Sequence, residues 1–281
     1  MKREHAIIAA AALGAVAALG CSKSAEVSEQ KARAHAETLA KLADEDVAEV
    51  RRGLPEGAKA LAALYRGDTK PADDLKGVRV ALEQARAKVQ DLRVAKSTFF
   101  ALAAPDGGVL RNDQEQDLMT GKNFFTAFPK LKDALGGKYV ETRGSMPEAA
   151  AVRRADAQWV AAEPVEVDGK VEGLYVTGWS WSAYAYRLEN ALRSEVRGAL
   201  GKNENLPLVY VYVIVDRAAY GAPVSPEVNA KAILAQEPLA HLSGGLFSTQ
   251  LEITGRDFGL AVKPLAAFGD GVAVAVLRSE T

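Results

Sequence analysis

A stretch of 20 residues that occurs twice constrains the fold of this chain most strongly. The first copy, WVAAEPVEVDGKVEGLYVTG, covers residues 159–178, and the second, FGLAVKPLAAFGDGVAVAVL, covers residues 258–277. Each copy has two apolar runs separated by aspartate and glycine, which is typical of a β-hairpin, and Pro164 and Pro264 occupy the same place. A repeated hairpin predicts a repeated domain.

The segments before each hairpin follow a similar order. Ahead of the first copy we predict a strand pair, a helix and a short strand, at residues 98–111, 121–135 and 139–142. A helix at residues 182–200 connects the two copies. Ahead of the second copy, LPLVYVYVIVD at 206–216 is apolar on both faces and predicts an interior strand. A short helix within 228–239 and a strand at 247–253 complete the second set.

The first part of the chain has a helical composition. Residues 24–96 are rich in Ala, Glu, Lys, Arg and Leu, and we expect breaks at 53–57 and 67–71, where glycine and proline cluster. Two apolar stripes step by three and four residues and must be buried against a neighbour. They are Ala40, Ala43, Val47, Val50 and Leu54, and Leu75, Val78, Leu82, Ala85, Val89 and Leu92. We interpret the region as a structural stalk, with a dimerisation seam as the alternative.

The N-terminus has the features of an export signal. Lys2 and Arg3 precede an apolar run at 6–19 that is short for a membrane span, and Gly20-Cys21 follows. The end of the run resembles the lipobox of bacterial lipoproteins, although Ala18 stands where that family usually has leucine. The resemblance implies lipidation of Cys21 (diacylation, with palmitate among the expected acyl groups) after removal of residues 1–20. The alternative is an ordinary signal peptide followed by a free cysteine.

Cys21 is the only cysteine in the chain, so no intrachain disulfide can form. By resemblance to lipoprotein sorting in enteric bacteria, Ser22 favours the outer over the inner membrane. We therefore expect a lipid-anchored protein of the periplasmic cell envelope. The formal net charge of −1 and the lack of any basic block argue against a nucleic-acid partner.

The order of elements resembles the PAS-like Cache family of bacterial extracellular sensors. The motifs that carry the resemblance are APDGGV at 104–109, TGKN at 120–123, EPV at 163–165 and GLYV at 173–176, within roughly residues 71–281. It implies an α+β fold in which an N-terminal helical stalk is followed by two PAS-like units, each an antiparallel sheet with flanking helices. The expected boundaries are a lipoprotein signal peptide at 1–20, the stalk at 21–96, the first unit with its connecting helix at 97–200, and a smaller second unit at 201–281.

The resemblance also implies a function. We expect a small-molecule-binding, sensor-like protein without an output domain of its own, because the sequence ends at Thr281 directly after its last predicted strand. Such a protein would need a membrane or periplasmic protein partner. The alternative is a structural or interaction lipoprotein with filled pockets.

Candidate ligand-binding residues come from the position of the cavity in PAS-like units, between the sheet and the helix-bearing side. They are Tyr139, Arg143, Trp159, Tyr175, Phe124 and Phe125. Arg143 would pair a ligand carboxylate, with Tyr139 and Trp159 as walls. The alternative is that the aromatic residues are core and Arg143 is a surface charge. The amino-acid-binding cluster of some Cache members is not reproduced, so no ligand is implied.

The sequence offers little for catalysis or metal binding. His35 and His241 are the histidines outside the signal, and no spacing typical of metal ligands includes them, so we expect no metal and no cofactor. Residues 113–117 alternate acidic side chains like a calcium loop but lack its glycine and its bidentate glutamate, and we interpret them as a solvated loop. GWSWS at 178–182 departs from the nucleophile-elbow pattern, and a hydrolase would depend on His241 as its base. We therefore expect no enzyme.

Overall fold

The computed structural model describes residues 4–147, 155–201 and 204–280, without the side chains of residues 4–23, 147, 155 and 156. The chain divides into two compact units. The first-sheet unit comprises residues 44–184, and the second-sheet unit comprises the chain up to residue 43 together with the part from residue 185 onward. The side chain of Cys21 is not among those that the structure describes, so its lipidation stays a prediction.

Six α-helices are formed by the described residues. They are α1 (Glu4–Leu61), α2 (Leu75–Lys88), α3 (Gln90–Val94), α4 (Phe124–Ala127), α5 (Trp181–Ala199) and α6 (Glu227–Leu234). Five short 3-10 helices lie at Ala62–Tyr65, Pro71–Asp73, Pro129–Gly136, Pro238–Gly244 and Ala266–Phe268. The helix predicted at residues 121–135 is therefore α4 followed by a 3-10 segment, because Pro129 begins a new, tighter turn.

Ten β-strands form two antiparallel sheets of five strands each. The first contains β1 (Phe99–Ala103), β2 (Val109–Asn112), β3 (Val140–Pro147), β4 (Ala155–Val167) and β5 (Lys170–Ser180). The second contains β6 (Leu208–Val215), β7 (Ala218–Gly221), β8 (Phe247–Ile253), β9 (Arg256–Pro264) and β10 (Val272–Ser279). The strand orders, β2-β1-β5-β4-β3 and β7-β6-β10-β9-β8, are the same arrangement, which confirms the predicted repeat and the α+β class.

The repeated sequence forms the hairpin at the centre of each sheet. Pro164 of β4 pairs with Leu174 of β5, and Pro264 of β9 pairs with Ala273 of β10. Asp168 and Gly169 both have positive φ, at 52° and 80°, as a tight two-residue hairpin turn requires.

Helix α1 does not break at residues 53–57, so that prediction was wrong. Pro55 lies inside the helix, and Leu54 on its buried face is fully buried. A β-carbon on Gly57 would lie 2.5 Å from the Tyr175 ring, so this glycine allows α1 to approach the first sheet closely. Burial of the apolar face over a long helix offsets the roughly 3 kcal/mol that an internal proline costs.

The earlier part of α1 packs in the same way within the second-sheet unit. Ala32, Ala36 and Leu39 are buried, and a β-carbon on Gly259 of β9 would collide with the α1 backbone at Ser28 and Glu29. Over residues 24–61 the helix is therefore a packed layer of each unit.

Candidate functional site

The first sheet has two faces because alternate side chains of a strand point in opposite directions. One face, which we call the α4 face, contributes an apolar cluster, and the other, the α1 face, packs against α1. The cluster on the α4 face contains Phe99, Ala101, Ala103, Val109, Met119, Phe124, Phe128, Leu131, Ala134, Met146, Val160, Ala162, Leu174 and Val176. All of these residues are at most 3% exposed, so this side is filled by its own side chains.

The six predicted ligand residues lie on both sides of the sheet and do not surround one cavity. Phe124 belongs to the α4-face cluster, and Phe125 packs against it partly buried. Tyr175 lies against Gly57 of α1, and its strand register places Trp159 and Arg143 on that same face. Tyr139, just before β3, contacts the same layer through Glu141.

On the α1 face the predicted residues lie in a dense polar and aromatic layer. The Tyr139 hydroxyl donates to Glu141 Oε1 at 2.8 Å, and Arg51 of α1 donates to both Glu141 oxygens at 2.6 and 3.0 Å. The rings of Trp159 and Trp179 stack with centroids 4.4 Å apart. Arg51 thus links the long helix to the edge strand β3 through a bidentate, charge-assisted contact.

Burial controls the protonation of this layer. It raises the pKa of Tyr139, helped by the nearby Glu141 charge, and the pKa of Tyr175, helped by Asp113. Both phenols therefore stay protonated at neutral pH. Burial, followed by repulsion from Glu166, also raises the pKa of Glu163.

The structure adds a site that the sequence did not indicate, a cavity of about 370 Å³ within the first-sheet unit. It is lined by Tyr65, Gly67, Thr69, Lys70, Pro71, Ala72, Ala104, Pro105, Leu110, Val167 and Glu172. The Tyr65 hydroxyl oxygen is buried and has no hydrogen-bond partner among the described residues. Burial, and then the charge of Glu172, raises the pKa of Tyr65 to about 12, which keeps the phenol a donor.

The sequence held only one hint of this cavity. Tyr65 is the sole Phe, Trp or Tyr in residues 24–96 and stands just before the predicted break at 67–71. Its neighbours across the cavity, Val167 and Glu172, come about 100 residues later, and no local pattern predicts that approach.

Two of the three acidic residues at 113–117 are structural rather than solvated, so the loop interpretation was wrong for Asp113 and Asp117, whereas Glu115 is exposed. The Asp113 side chain is 4% exposed, pairs with Arg86 at 3.0 Å and accepts from the Phe100 backbone N–H. The Asp117 side chain is 6% exposed, pairs with Arg111 and accepts from the Met119 N–H. No group of three potential ligands that could hold a metal ion occurs among the described residues.

The residues considered for catalysis have structural contacts instead. Ser180 Oγ accepts from the Ala183 N–H at 3.2 Å in the first turn of α5. His241 stacks on Phe247 with ring centroids 5.3 Å apart. Within the part of the chain that the structure describes, no helix has the length and apolarity needed to cross a membrane.

Neither a protein-family model nor a curated protein sequence matches this chain. Solved structures do share its fold. The extracellular domain assigned to the histidine kinase vpHK1S-Z8 aligns with a TM-score of 0.59 at 9% identity, over 92% of this chain and 93% of that one. A domain assigned to a sensory box/GGDEF family protein of Vibrio parahaemolyticus aligns with a TM-score of 0.57 at 10% identity, over 92% and 98%.

A third similar structure is an extracellular ligand binding receptor from Desulfohalobium retbaense. It aligns with a TM-score of 0.52 at 14% identity, over 87% of this chain and 39% of the receptor. These structures are described as an extracellular domain, a sensory-box domain and a ligand binding receptor. At these identities the likeness concerns the fold, and the chain has the tandem PAS-like fold of extracellular sensor domains.

Proposed function

We propose that this chain is a lipid-anchored periplasmic protein that binds a small molecule in its first-sheet unit and passes that information to a membrane or periplasmic protein partner. The proposal includes a signal peptide at 1–20, a helical segment at 21–96, and sheet-bearing parts at 97–200 and 201–281. The observation that carries it is a cavity inside a fold shared with sensor domains. The ligand-binding receptor with the same fold supports it.

Two sets of residues are candidates for the binding site. The sequence favours Arg143 and its neighbours on the α1 face, and the structure adds the cavity at Tyr65. A ligand in either place lies within the first-sheet unit.

Thermal unfolding of the chain from Ser22 onward, against a panel of amino acids, carboxylates and purines, tests binding. A ligand at 100 times its Kd adds about 2.7 kcal/mol of stability, or roughly 5 to 11 °C in Tm. We expect a saturable rise for at least one compound class. Comparison of the rise, rather than of Tm itself, in Arg143→Gln and Trp159→Phe then shows whether the site lies at Arg143 or elsewhere.

A second candidate function is a structural or interaction lipoprotein. The apolar, fully packed α4 face favours it, since Phe124, Phe128 and Met119 fill the side where PAS-like units hold their cavity. A flat response across the whole panel, together with specific capture of one envelope protein by the anchored chain, would support this function instead.

Lipid anchoring has its own test. The full chain and its Cys21→Ser variant are expressed with labelled palmitate, and envelope membranes are separated by density. We expect label and membrane retention in the parent and neither in the variant, with the parent in the outer-membrane fraction. A labelled variant would refute the anchor at Cys21.

A further inference from the structure

The walls of the cavity at Tyr65 are mainly apolar. Three parts of the first-sheet unit supply them, namely the connector between α1 and α2, the β1–β2 hairpin and the β4–β5 hairpin. Their apolar residues at the cavity are Pro71, Ala72, Ala104, Pro105, Leu110 and Val167. Leu110 and Val167 are only half-buried, and Ala72 and Pro105 are exposed. Apolar surface that faces an open cavity gains free energy when a molecule covers it.

The Tyr65 hydroxyl does not serve a ligand. Its oxygen is buried against β5, where a β-carbon on Gly173 would collide with it, so a molecule in the cavity cannot reach it. The half-buried Tyr65 side chain therefore presents its ring, which adds carbon surface to the walls. Recognition through a hydrogen bond to this phenol is excluded, and apolar contact remains.

The two charged side chains that line the cavity have opposite signs. Lys70 is exposed, and Glu172 pairs with Lys170 at 2.7 Å, a pair that solvent screens because Lys170 is 75% exposed. The Glu172 charge nevertheless reaches the wall, since after burial it is the second cause that raises the pKa of Tyr65. An anion would meet Glu172, a cation would meet Lys70, and either would lose hydration. An uncharged molecule avoids these costs.

The volume sets the size of a matching molecule. An apolar cavity of about 150 Å³ holds one benzene ring. The cavity at Tyr65 has a volume of about 370 Å³, which suits a body of two fused rings. Pro71 and Pro105 have a fixed φ and stiffen two of the three contributing segments, so the shape is largely preformed.

We propose that this cavity binds an uncharged, mainly apolar molecule of about the size of two fused rings. Its body lies against Leu110, Val167 and the Tyr65 ring. Any polar group that it carries points to solvent between Lys70 and Glu172. This site rests on the proposed small-molecule function and deepens it, because it names a position and a ligand class.

Three naphthalene derivatives of nearly equal size test the ligand class. They are naphthylmethanol, the anion naphthoate and the cation naphthylmethylammonium, all substituted at the same ring carbon. Each is titrated into the methyl-labelled full chain in detergent, where shifts of the Leu110 methyl signals report occupancy of the cavity, and a protein-free micelle blank gives the free concentration. We expect the alcohol to bind at least about 5-fold more tightly than either ion, because each ion loses hydration. An ion that binds as tightly as the alcohol would refute the uncharged class.

Two substitutions test the position. Ala72→Trp fills the cavity from an exposed residue and should weaken binding of the alcohol about 10-fold or more, whereas Ala87→Trp, exposed on α2, should change it by less than about 2-fold. Val167→Thr keeps the shape of the wall but adds a hydroxyl and should weaken binding severalfold, with Val228→Thr at a 45% exposed position as its control. If Ala72→Trp lowers Tm, Val167→Thr decides the position. Binding that is unchanged in Val167→Thr would overturn the site.

The remaining outcomes separate the site from the function. If none of the three derivatives shifts the Leu110 signals while a compound of the metabolite panel raises Tm, the ligand class is refuted and small-molecule binding stands. If the derivatives and the whole panel fail to bind, both proposals fail.

Discussion

Gly259 of β9 gives the sharpest test of how α1 is built into the second-sheet unit. A β-carbon at this position would collide with the backbone of Ser28 and Glu29, which cannot rotate away as a side chain can. Gly259→Ala must therefore displace α1 from the sheet by a few tenths of an ångström or more. The displacement also strains the contacts beside it, where Ser248 Oγ donates to Glu29 Oε1 at 2.7 Å and the Glu280 N–H donates to Ser28 Oγ at 3.1 Å.

The cost follows from overpacking against backbone. Inserted methyl groups in packed interiors cost about 1–3 kcal/mol, and the upper half of that range applies where backbone must move. About 2 kcal/mol corresponds to a fall in Tm of roughly 4–8 °C for a protein of this size. Gly244→Ala is the matched control, since nothing lies within 4 Å of its β-carbon position.

Calorimetry and amide hydrogen exchange measure both substitutions. We expect Gly259→Ala to lower Tm and to speed exchange in β9, β10 and residues 24–36. Gly244→Ala should change the free energy of unfolding by less than about 0.5 kcal/mol and leave the exchange pattern as in the parent. Equal behaviour of the two variants would refute the close approach of α1 to β9.

Two other substitutions test buried polar contacts. Burial, and then the neighbouring Arg278 charge, lowers the pKa of His35 to about 4, so the folded state keeps this ring neutral while the unfolded chain protonates near pH 6.5. The contribution of the neutral His35 ring to stability is therefore present above about pH 6.5 and is lost as pH falls toward 4. Urea unfolding from pH 7 to 4.5 should show a smaller loss of unfolding free energy for His35→Gln than for the parent. An equal dependence of the unfolding free energy on pH in the two proteins would contradict this. The Tyr184 hydroxyl donates to the buried Asp46 carboxylate at 3.0 Å, so Tyr184→Phe should lower the free energy of unfolding by about 1.5–3 kcal/mol, whereas Tyr186→Phe at a 48% exposed position should change it by less than about 0.5. A Tyr184→Phe chain as stable as the control variant would show that this contact contributes little.

The repeat and most strands could be predicted because their signals are local. Alternating or continuous apolar runs bounded by glycine and proline identify β4, β5, β9 and β10 directly from the sequence. The four-residue strand β7 (Ala218–Gly221) was missed because it has no alternation and depends on its pairing with β6. The glycines near Pro55 were interpreted as helix breakers, whereas Gly57 serves close packing against Tyr175, a residue more than 100 positions away.

The site was harder to predict than the fold because it depends on contacts between distant segments. Strand register decides which face a side chain occupies, and a shift of one residue moves it to the other face. Register therefore places Arg143, Trp159 and Tyr175 on the α1 face, whereas Phe124 of helix α4 covers the opposite face. The cavity at Tyr65 is visible only once the β4–β5 hairpin is packed over the connector after α1.

Peptide-resolved hydrogen exchange of the full chain, with and without each compound of the metabolite panel, tests small-molecule binding by the first-sheet unit most directly. We expect at least one compound to slow exchange within residues 44–184, with the strongest effect in residues 62–74 and in the ends of the β1–β2 and β4–β5 hairpins. No change with any compound, or protection confined to residues 204–280, would contradict binding in the first-sheet unit.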